Sequence, residues 1–153
     1  MNYFQATICP SVILKTRVGD DKILGGGCAI GGTWKDVNTD VLFKDKRIVI
    51  FSLPGAYTPT CSSQQVPGYE EKYDELRKFV HEVYCVSVND AFVMNAWFRD
   101  QKIYKVKPIG DGEGKFTKGM NMLVNKPKQG FGMRSWRYSA LVEDGKIVKM
   151  FVE

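Results

Sequence analysis

Residues 47–61, RIVIFSLPGAYTPTC, combine a strand, a turn and the beginning of a helix. The apolar run at residues 48–51 predicts a strand that is buried on both faces, and the Pro-Gly pair at positions 54 and 55 ends it in a turn. Hydroxyl side chains that can cap a helix follow, and apolar residues then recur every three or four positions; they are Thr58, Thr60, Ser62 and Ser63, and Val66, Tyr69, Tyr73, Leu76 and Val80. A helix is therefore predicted with Cys61 in its first turn.

This predicted position makes Cys61 the candidate nucleophile of the chain. The first N–H groups of a helix have no partner within the helix, and the positive end of the helix dipole lies beside them. Both features stabilise a thiolate relative to a thiol, which is an ordinary way for a protein to make a cysteine reactive.

The elements around this stretch predict an α/β fold. A second apolar run at residues 83–88 is separated from the first by the length of a βαβ crossover, so the two strands should be parallel and joined in a right-handed sense. A third strand is predicted at 106–109, and strands at 137–142 and 147–151 should form a hairpin around an Asp-Gly turn. This layout predicts one thioredoxin-like domain over residues 1–153, with a central mixed sheet flanked by helices.

Weaker patterns predict the remaining elements. An edge strand is expected at 12–18, a short strand from 34, and then a helical turn capped by Thr39 and Asp40. A helix capped by Asn89-Asp90 should follow the second buried strand, with these residues on its inner face: Phe92, Val93, Ala96, Trp97 and Ile103. A short helix or loop is expected at 116–122, and a loop at 126–132. The glycine-rich stretch 25–32 lacks the Gly-Lys-Ser/Thr ending of a phosphate-binding loop and is interpreted as a flexible loop. Pro67 lies about six residues into the Cys61 helix and clashes there with the carbonyl of Ser63, so a kink is expected.

Composition excludes several classes of protein. The 153 residues, 44% hydrophobic and 25% charged, are typical of a globular domain that buries about two-thirds of its unfolded surface. There is no apolar stretch long enough to span a membrane, and the first residues lack the features of a signal peptide, so a cytoplasmic location is expected. The net charge of +5 is scattered, which argues against a nucleic-acid surface but favours anionic partners.

The four cysteines include no C-x-x-C pair, and His81 is the only histidine, so neither a metal nor a bound cofactor is expected. A disulfide framework is not expected in a chain of this size without a secretion signal.

Pro54, Thr58 and Cys61 form the pattern P-x-x-x-T-x-x-C, which resembles the active-site loop of the peroxiredoxins. The longer string PGAYTPTCSSQQVPGY resembles the peroxiredoxin-5 subfamily, and two distant stretches agree, VYCVSVNDAFVMNAW at 83–97 and GFGMRSWRYSALVEDGKI at 130–147. The match runs from about residue 16 to the last residue, and is strongest to the peroxiredoxin domain of hybrid peroxiredoxin-glutaredoxin proteins. The resemblance implies a peroxiredoxin-type thioredoxin-like core and a thiol peroxidase acting on hydrogen peroxide and alkyl hydroperoxides.

Peroxide reduction needs an ionised sulfur, hydrogen-bond donors for the leaving oxygen and exclusion of bulk water. Cys61 supplies the sulfur, and the Thr58 hydroxyl is expected to accept the peroxide proton while its own hydrogen points to the sulfur. The backbone N–H groups of Thr60 and Cys61 are expected to donate to the substrate, and Pro54 to cover the sulfur.

A cation is also required, because a helix dipole alone does not lower the pKa of a thiol from about 8.5 to well below 7. The resemblance implies Arg137 for this role. Arg134, three residues earlier, is the second candidate for the cation and is also expected to bind substrate. Phe131, Phe51 and Tyr57 are candidates for an apolar mouth, with core packing or a dimer contact as the alternative for each.

The Cys61 sulfenic acid must be reduced again before it is oxidised further. The chain ends at Phe151-Val152-Glu153, so the C-terminal helix of the subfamily, a resolving cysteine there and a further domain are expected to be absent, unless the protein continues, for example into a fused glutaredoxin domain. Cys85 is expected to be a buried hydrophobe, whereas Cys9, near a mobile terminus, and Cys28, in a flexible loop, match no known resolving position. One-cysteine catalysis with glutathione or a glutaredoxin as reductant is therefore expected.

Two other functions use the same thiol. A peroxide sensor or holdase-like interaction protein shares every motif, and a thiol-disulfide oxidoreductase is disfavoured because Thr58 stands where that chemistry needs its first cysteine. The resemblance also implies a homodimer, for which Phe43, Trp34 or Phe116 would be exposed.

Overall fold

The structure is a computed structural model that describes residues 5–19, 23–24, 28–29, 31–60 and 64–153. Cys61 therefore lies outside the described residues, together with Ser62 and Ser63. Of the glycine-rich stretch expected to be a flexible loop, residues 25–27 and 30 also lie outside.

The centre of the molecule is a five-stranded mixed sheet of order β11-β10-β5-β6-β7. The strands are β5 (Arg47–Ser52), β6 (Glu82–Ser87), β7 (Lys107–Gly110), β10 (Tyr138–Glu143) and β11 (Lys146–Val152). β5, β6 and β7 are parallel, whereas β10 lies antiparallel to both β5 and β11. The predicted α/β fold, the parallel crossover and the terminal hairpin are confirmed.

The hairpin turns where the Asp-Gly step predicts it. Asp144 and Gly145 have φ values of 49° and 75°, a left-handed pair suited to a two-residue turn between twisted strands. The turn is anchored to the segment before β5, because the Asp144 N–H donates to the Lys46 carbonyl at 2.9 Å and the Asp45 N–H donates to the Asp144 carboxylate at 2.8 Å.

Six further strands form three two-stranded antiparallel ladders. They are β1 (Ile13–Val18) with β4 (Thr33–Asn38), β2 (Ile23–Leu24) with β3 (Cys28–Ala29), and β8 (Leu123–Lys126) with β9 (Gly132–Ser135), the last pair enclosing a 3-10 turn at Pro127–Gln129. The β2–β3 ladder shows that part of the predicted glycine-rich loop is strand. The loop expected at 126–132 is likewise the tip of a hairpin, whose short polar strands give no clear alternation.

Four helices are described, α1 (Thr39–Phe43), α2 (Val66–Leu76), α3 (Ala91–Asp100) and α4 (Lys115–Gly119). The cap of α1 is Asn38 rather than Thr39 or Asp40, because the Asn38 side chain accepts the Asp40 N–H at 2.9 Å. Asp90 caps α3 as predicted, by accepting the Val93 N–H at 2.9 Å.

The buried face of α3 differs from the prediction. Its buried residues are Ala91, Met94, Trp97 and Phe98. Phe92 is 42% exposed and instead meets the ring of Trp34 on the surface, with ring centroids 5.2 Å apart. The predicted face is rotated around the helix relative to the buried one, and Trp97 is the residue of α3 common to both. Ile103 is also buried as predicted, but it lies beyond the end of α3.

Two apolar clusters cover the sheet. Successive strand residues point to opposite faces of the sheet. The first cluster therefore contains Ile48, Ile50, Tyr84 and Val86, and the second contains Phe51, Val83 and Cys85. The central strands are therefore buried on both sides, as predicted. The apolar face predicted for the helix that follows Cys61 is also confirmed. Its residues all belong to the second cluster or pack on it: Val66, Tyr69, Tyr73, Leu76 and Val80.

Two of the residues expected at a dimer surface are in the core. Phe43 and Phe116 are each 1% exposed and pack edge to face with centroids 6.1 Å apart, whereas Trp34 is 56% exposed. Both phenylalanines belong to short helices that close the first cluster. Among the described residues, no helix has the length and apolar character of a membrane span.

Gly110 offers a test of how the carboxyl end of β7 meets α3. A methyl group on Gly110 would lie 3.0 Å from backbone atoms of Asn89, Asp90 and Ala91. We expect Gly110→Ala to lower the free energy of unfolding by about 1–3 kcal/mol, measured by urea denaturation.

The matched control is Gly68→Ala in α2, where an added methyl group has no neighbour within 4 Å. There the same substitution should raise stability by about 0.5–1 kcal/mol through helix propensity. Equal midpoints for the two variants would contradict the close approach at Gly110.

Candidate active site

The candidate site begins at the carboxyl end of β5, where the chain leaves the sheet. The loop is fixed to the neighbouring parallel strand, because the Ala56 N–H donates to the Asn89 side-chain oxygen at 3.0 Å and the Ser87 hydroxyl donates to the same oxygen at 2.6 Å. Tyr57, with φ 63°, reverses the chain direction. The sequence after β5 thus returns towards the sheet as a compact turn.

Thr58 and Pro54 are both half-buried in this turn. The Thr58 hydroxyl donates to the Gly55 carbonyl at 2.9 Å, and the Thr58 N–H approaches the same oxygen at 3.4 Å. The Thr58 hydrogen is therefore directed to the Gly55 carbonyl, whereas the Cys61 sulfur, to which we expected it to point, lies outside the described residues. Its lone pairs remain as acceptors, because the proton is held by Gly55.

A helix begins at the predicted place. Pro59 and Thr60 are helical and exposed, and Gln64 and Gln65 form a π-helical turn that leads into α2. Cys61 itself lies outside the described residues, so its place in the first turn stays a prediction. The kink predicted at Pro67 involves Ser63, which also lies outside the described residues, so the kink stays a prediction. The structure places Pro67 in the first turn of α2.

Arg137 lies beside Gln65, the residue that precedes α2. Tyr138 pairs with Ser52 in the antiparallel β10–β5 ladder, so Arg137 falls just beyond the carboxyl end of β5. Its Nη1 donates to Oε1 of Gln65, and Nε2 of Gln65 donates to the Ser52 carbonyl at 3.4 Å. The Nε of Arg137 also contacts the Glu153 carboxylate at 3.1 Å. The guanidinium is thus tied through Gln65 to the end of β5 and to the residue immediately before α2.

Arg134 approaches the same loop from β9. Its Nη1 donates to the Pro54 carbonyl at 3.4 Å and its Nε to the Phe131 carbonyl at 3.3 Å, while the guanidinium stacks 5.2 Å above the Phe131 ring. A side chain at Gly55 would overlap the Arg134 guanidinium, so a larger residue there would displace the arginine. The structure therefore brings both predicted arginines to the loop that follows β5.

The predicted apolar mouth is assembled only in part. Phe51 is fully buried and stacks on Tyr69 with centroids 3.8 Å apart, so it belongs to the core, which was the alternative left open. Phe131 is half-buried beneath Arg134, and Tyr57 is 49% exposed with its hydroxyl donating to Asp100 at 2.6 Å.

Two other cysteines can be placed. Cys85 lies on β6 and is fully buried, which confirms its interpretation as a core residue. Cys9 is also buried, contrary to its expected place in a mobile terminus, and its N–H donates to the Gly145 carbonyl at 2.8 Å. Burial raises the pKa of the Cys9 thiol to about 12, so it is not a nucleophile at neutral pH. The Cys28 backbone lies in β3.

The structure adds two residues that the sequence reasoning missed. Gln65 follows Cys61 by four positions, a spacing that puts helical side chains on one face, so the sequence could have predicted its place in the site. Glu153 had none, because its approach to Arg137 depends on the β10–β11 register. Within the described ranges no cluster of three histidine, cysteine or acidic side chains forms a metal site. The site offers positive charge and hydrogen-bond donors beside a helix start, which suit an anionic sulfur and oxygen.

Known proteins are similar to this chain in sequence and in fold. The family model described as Redoxin matches residues 29–153. A peroxiredoxin of Synechocystis sp. is 51% identical over 145 residues, covering 94% of this chain and 75% of that protein, and a hybrid peroxiredoxin of Haemophilus influenzae is 47% identical over all of this chain and 59% of its own length. The crystal structure of the Plasmodium falciparum antioxidant protein, a 1-Cys peroxiredoxin, is 40% identical with a TM-score of 0.85, covering 95% of this chain and 83% of that one. The chain therefore belongs to the redoxin family and, within it, to the peroxiredoxins.

Proposed function

We propose that this peroxiredoxin reduces hydrogen peroxide and alkyl hydroperoxides through a sulfenic acid at Cys61, and that glutathione or a glutaredoxin regenerates the thiol. The family supports the coarser activity, a thiol peroxidase that serves antioxidant defence. The observation that carries the assignment to Cys61 is the contact of Arg137 with Gln65, four residues after that cysteine and at the cap of α2. A guanidinium there lies beside the predicted position of the sulfur.

The reaction is a displacement on oxygen. The Cys61 thiolate attacks the terminal oxygen of the hydroperoxide, an S–O bond forms and the O–O bond breaks. The sulfur is oxidised to sulfenic acid, and the other oxygen leaves as hydroxide or alkoxide and takes a proton from solvent to give water or an alcohol. The negative charge moves from sulfur to the leaving oxygen, so donors that follow this charge lower the barrier.

The described residues can fill these roles. The Thr58 hydroxyl, whose proton is held by Gly55, accepts the hydrogen of the peroxide. Arg137 stabilises the thiolate and the developing oxygen charge, and Arg134 adds a second cation fixed against the Pro54 carbonyl. Thr60 supplies a backbone N–H for the substrate, and Pro54 covers one side of the sulfur.

Recycling by glutathione or a glutaredoxin is supported by the burial of Cys9 and Cys85, which removes two of the three candidate resolving cysteines. The thiolate of the reductant attacks the sulfenic sulfur, water leaves, and a second thiol reduces the mixed disulfide. The similarity to a protein named hybrid peroxiredoxin and the net charge of +5, which attracts an anionic reductant, support the same choice.

The same proposal includes a homodimer in the cytoplasm. Trp34 and Phe92 stand exposed side by side, with the Arg17 guanidinium 4.8 and 4.7 Å from their ring centroids, and form an aromatic patch suited to a partner surface. Light scattering of the purified chain tests the oligomeric state.

Substitution of single cysteines tests the nucleophile. Cys61→Ser should abolish peroxide consumption and the dimedone adduct seen by mass spectrometry, because no other cysteine takes its role. Cys9→Ala and Cys85→Ala are the matched controls, since both thiols are buried, and they should retain both signals. A dimedone adduct that persists in Cys61→Ser would refute the assignment.

Substitution of Arg137 tests the cation. Arg137→Ala should lower the rate constant for peroxide about 100-fold, and loss of a positive charge beside the thiolate should raise the pKa of Cys61, so the pH profile of alkylation should move to higher pH. Arg77→Ala, at the other end of α2, removes an equal charge and should leave both quantities unchanged. An unchanged rate in Arg137→Ala would exclude its catalytic role.

Turnover tests the reductant and separates an enzyme from a sensor. Glutathione with glutaredoxin should sustain many cycles of peroxide reduction, followed through NADPH oxidation, whereas thioredoxin alone should not. Consumption of one equivalent of peroxide without further turnover would favour the sensor or holdase-like function instead, and turnover with thioredoxin alone would contradict the choice of reductant.

A further inference from the structure

Glu153 holds Arg137 by two separate contacts. Its carboxylate Oε2 lies 3.1 Å from Nε of Arg137, and its own N–H donates to the Arg137 carbonyl at 3.0 Å. The β10–β11 register explains both contacts, because Tyr138 pairs with Val152 and the next pair outward is Arg137 with Glu153. The end of the hairpin therefore fixes the backbone and the side chain of the same arginine.

Described contacts hold two different nitrogens of the Arg137 guanidinium. Gln65 accepts from Nη1, and Glu153 accepts from Nε. Since the guanidinium is a rigid plane, contacts to two different nitrogens fix its orientation as well as its position. The Arg137 side chain is only 22% exposed, whereas that of Glu153 is 76% exposed, so the carboxylate reaches the arginine from the solvent side.

The ion pair between Glu153 and Arg137 contributes little to folding stability. A carboxylate that is mostly exposed is screened by water, and ion pairs of this kind contribute about 0–1 kcal/mol to stability. Orientation is more demanding, because a displacement of about 1 Å in a catalytic group can lower a rate 100-fold.

We propose that Glu153 is a positioning residue of the peroxidase reaction, orienting the Arg137 guanidinium towards the sulfur and the peroxide. This inference rests on the proposed function, in which Arg137 stabilises the Cys61 thiolate and the leaving oxygen. Glu153 touches neither reacting atom and acts through Arg137.

Two substitutions and a matched control test the role. Glu153→Ala should lower the rate constant for sulfenic acid formation about tenfold. The rate is measured by stopped flow at a pH where the thiolate is fully formed, so that ionisation does not contribute. Glu153→Gln keeps an oxygen acceptor for Nε and should stay within about threefold of the unmodified protein. Glu143→Ala, an exposed glutamate at the other end of β10, should change nothing. Urea midpoints of the three variants should agree.

A double-mutant cycle that combines Glu153→Ala with Arg137→Ala distinguishes failure of the positioning role from failure of the proposed function. The rates are measured with enzyme and peroxide in equal amounts. Loss caused by Glu153→Ala should disappear when Arg137 is already alanine. The same loss in both backgrounds, or a Glu153→Ala variant as fast as the Glu143→Ala control, would overturn the positioning role while Arg137 keeps its own effect. An unchanged rate in Arg137→Ala alone would overturn the proposed function and this inference with it.

Discussion

The antiparallel pairing of β10 with β5 is the constraint on which the candidate site depends. It sets Tyr138 opposite Ser52, so the residue before β10 must emerge where β5 delivers the chain into the loop and α2. A shift of one residue would turn Arg137 to the other face of the sheet. Ile48 and Ile50 enter one apolar cluster and Phe51 the other, so both faces of β5 oppose such a shift. Core packing therefore determines the position of a charged group that is not part of the core.

The electrostatics of the site require this cation. A charge at a helix start gains about 0.3–1 kcal/mol from the dipole at an exposed position, and one pKa unit corresponds to about 1.36 kcal/mol. The dipole alone thus moves a thiol by about one unit or less. Arg137 is mostly buried and hydrogen-bonded to Gln65, and a charge in such surroundings is screened less than one in open solvent. The arginine, rather than the helix, supplies the larger share of the thiolate stabilisation in the proposed mechanism.

Local patterns predicted the parts of the fold whose signal is local. Apolar runs located the parallel pair β5 and β6, and the Asp-Gly step located the hairpin turn. Errors arose where the answer depends on packing between distant segments: Phe43 and Phe116 looked available for a partner surface, yet two short helices bury them. The contacts of Arg137 depend on the register of three strands, so its proposed role came from the resemblance, and the proposed role of Glu153 had no signal in the sequence.

Separation of the cysteines by environment is a consequence of the same architecture. Cys85 is part of the central parallel strand β6, and Cys9 is held against the hairpin turn through Gly145, so the elements that build the sheet also bury both thiols. Burial raises the pKa of Cys9 to about 12, because its thiolate would lose its hydration there. Arg134 and Arg137, which are fixed beside the loop after β5, lie at the opposite end of the strands from that turn. In the proposed mechanism these cations stabilise the thiolate of a cysteine beside them, whereas burial destabilises the thiolate of Cys9, and this difference directs the oxidation chemistry to one of the four cysteines.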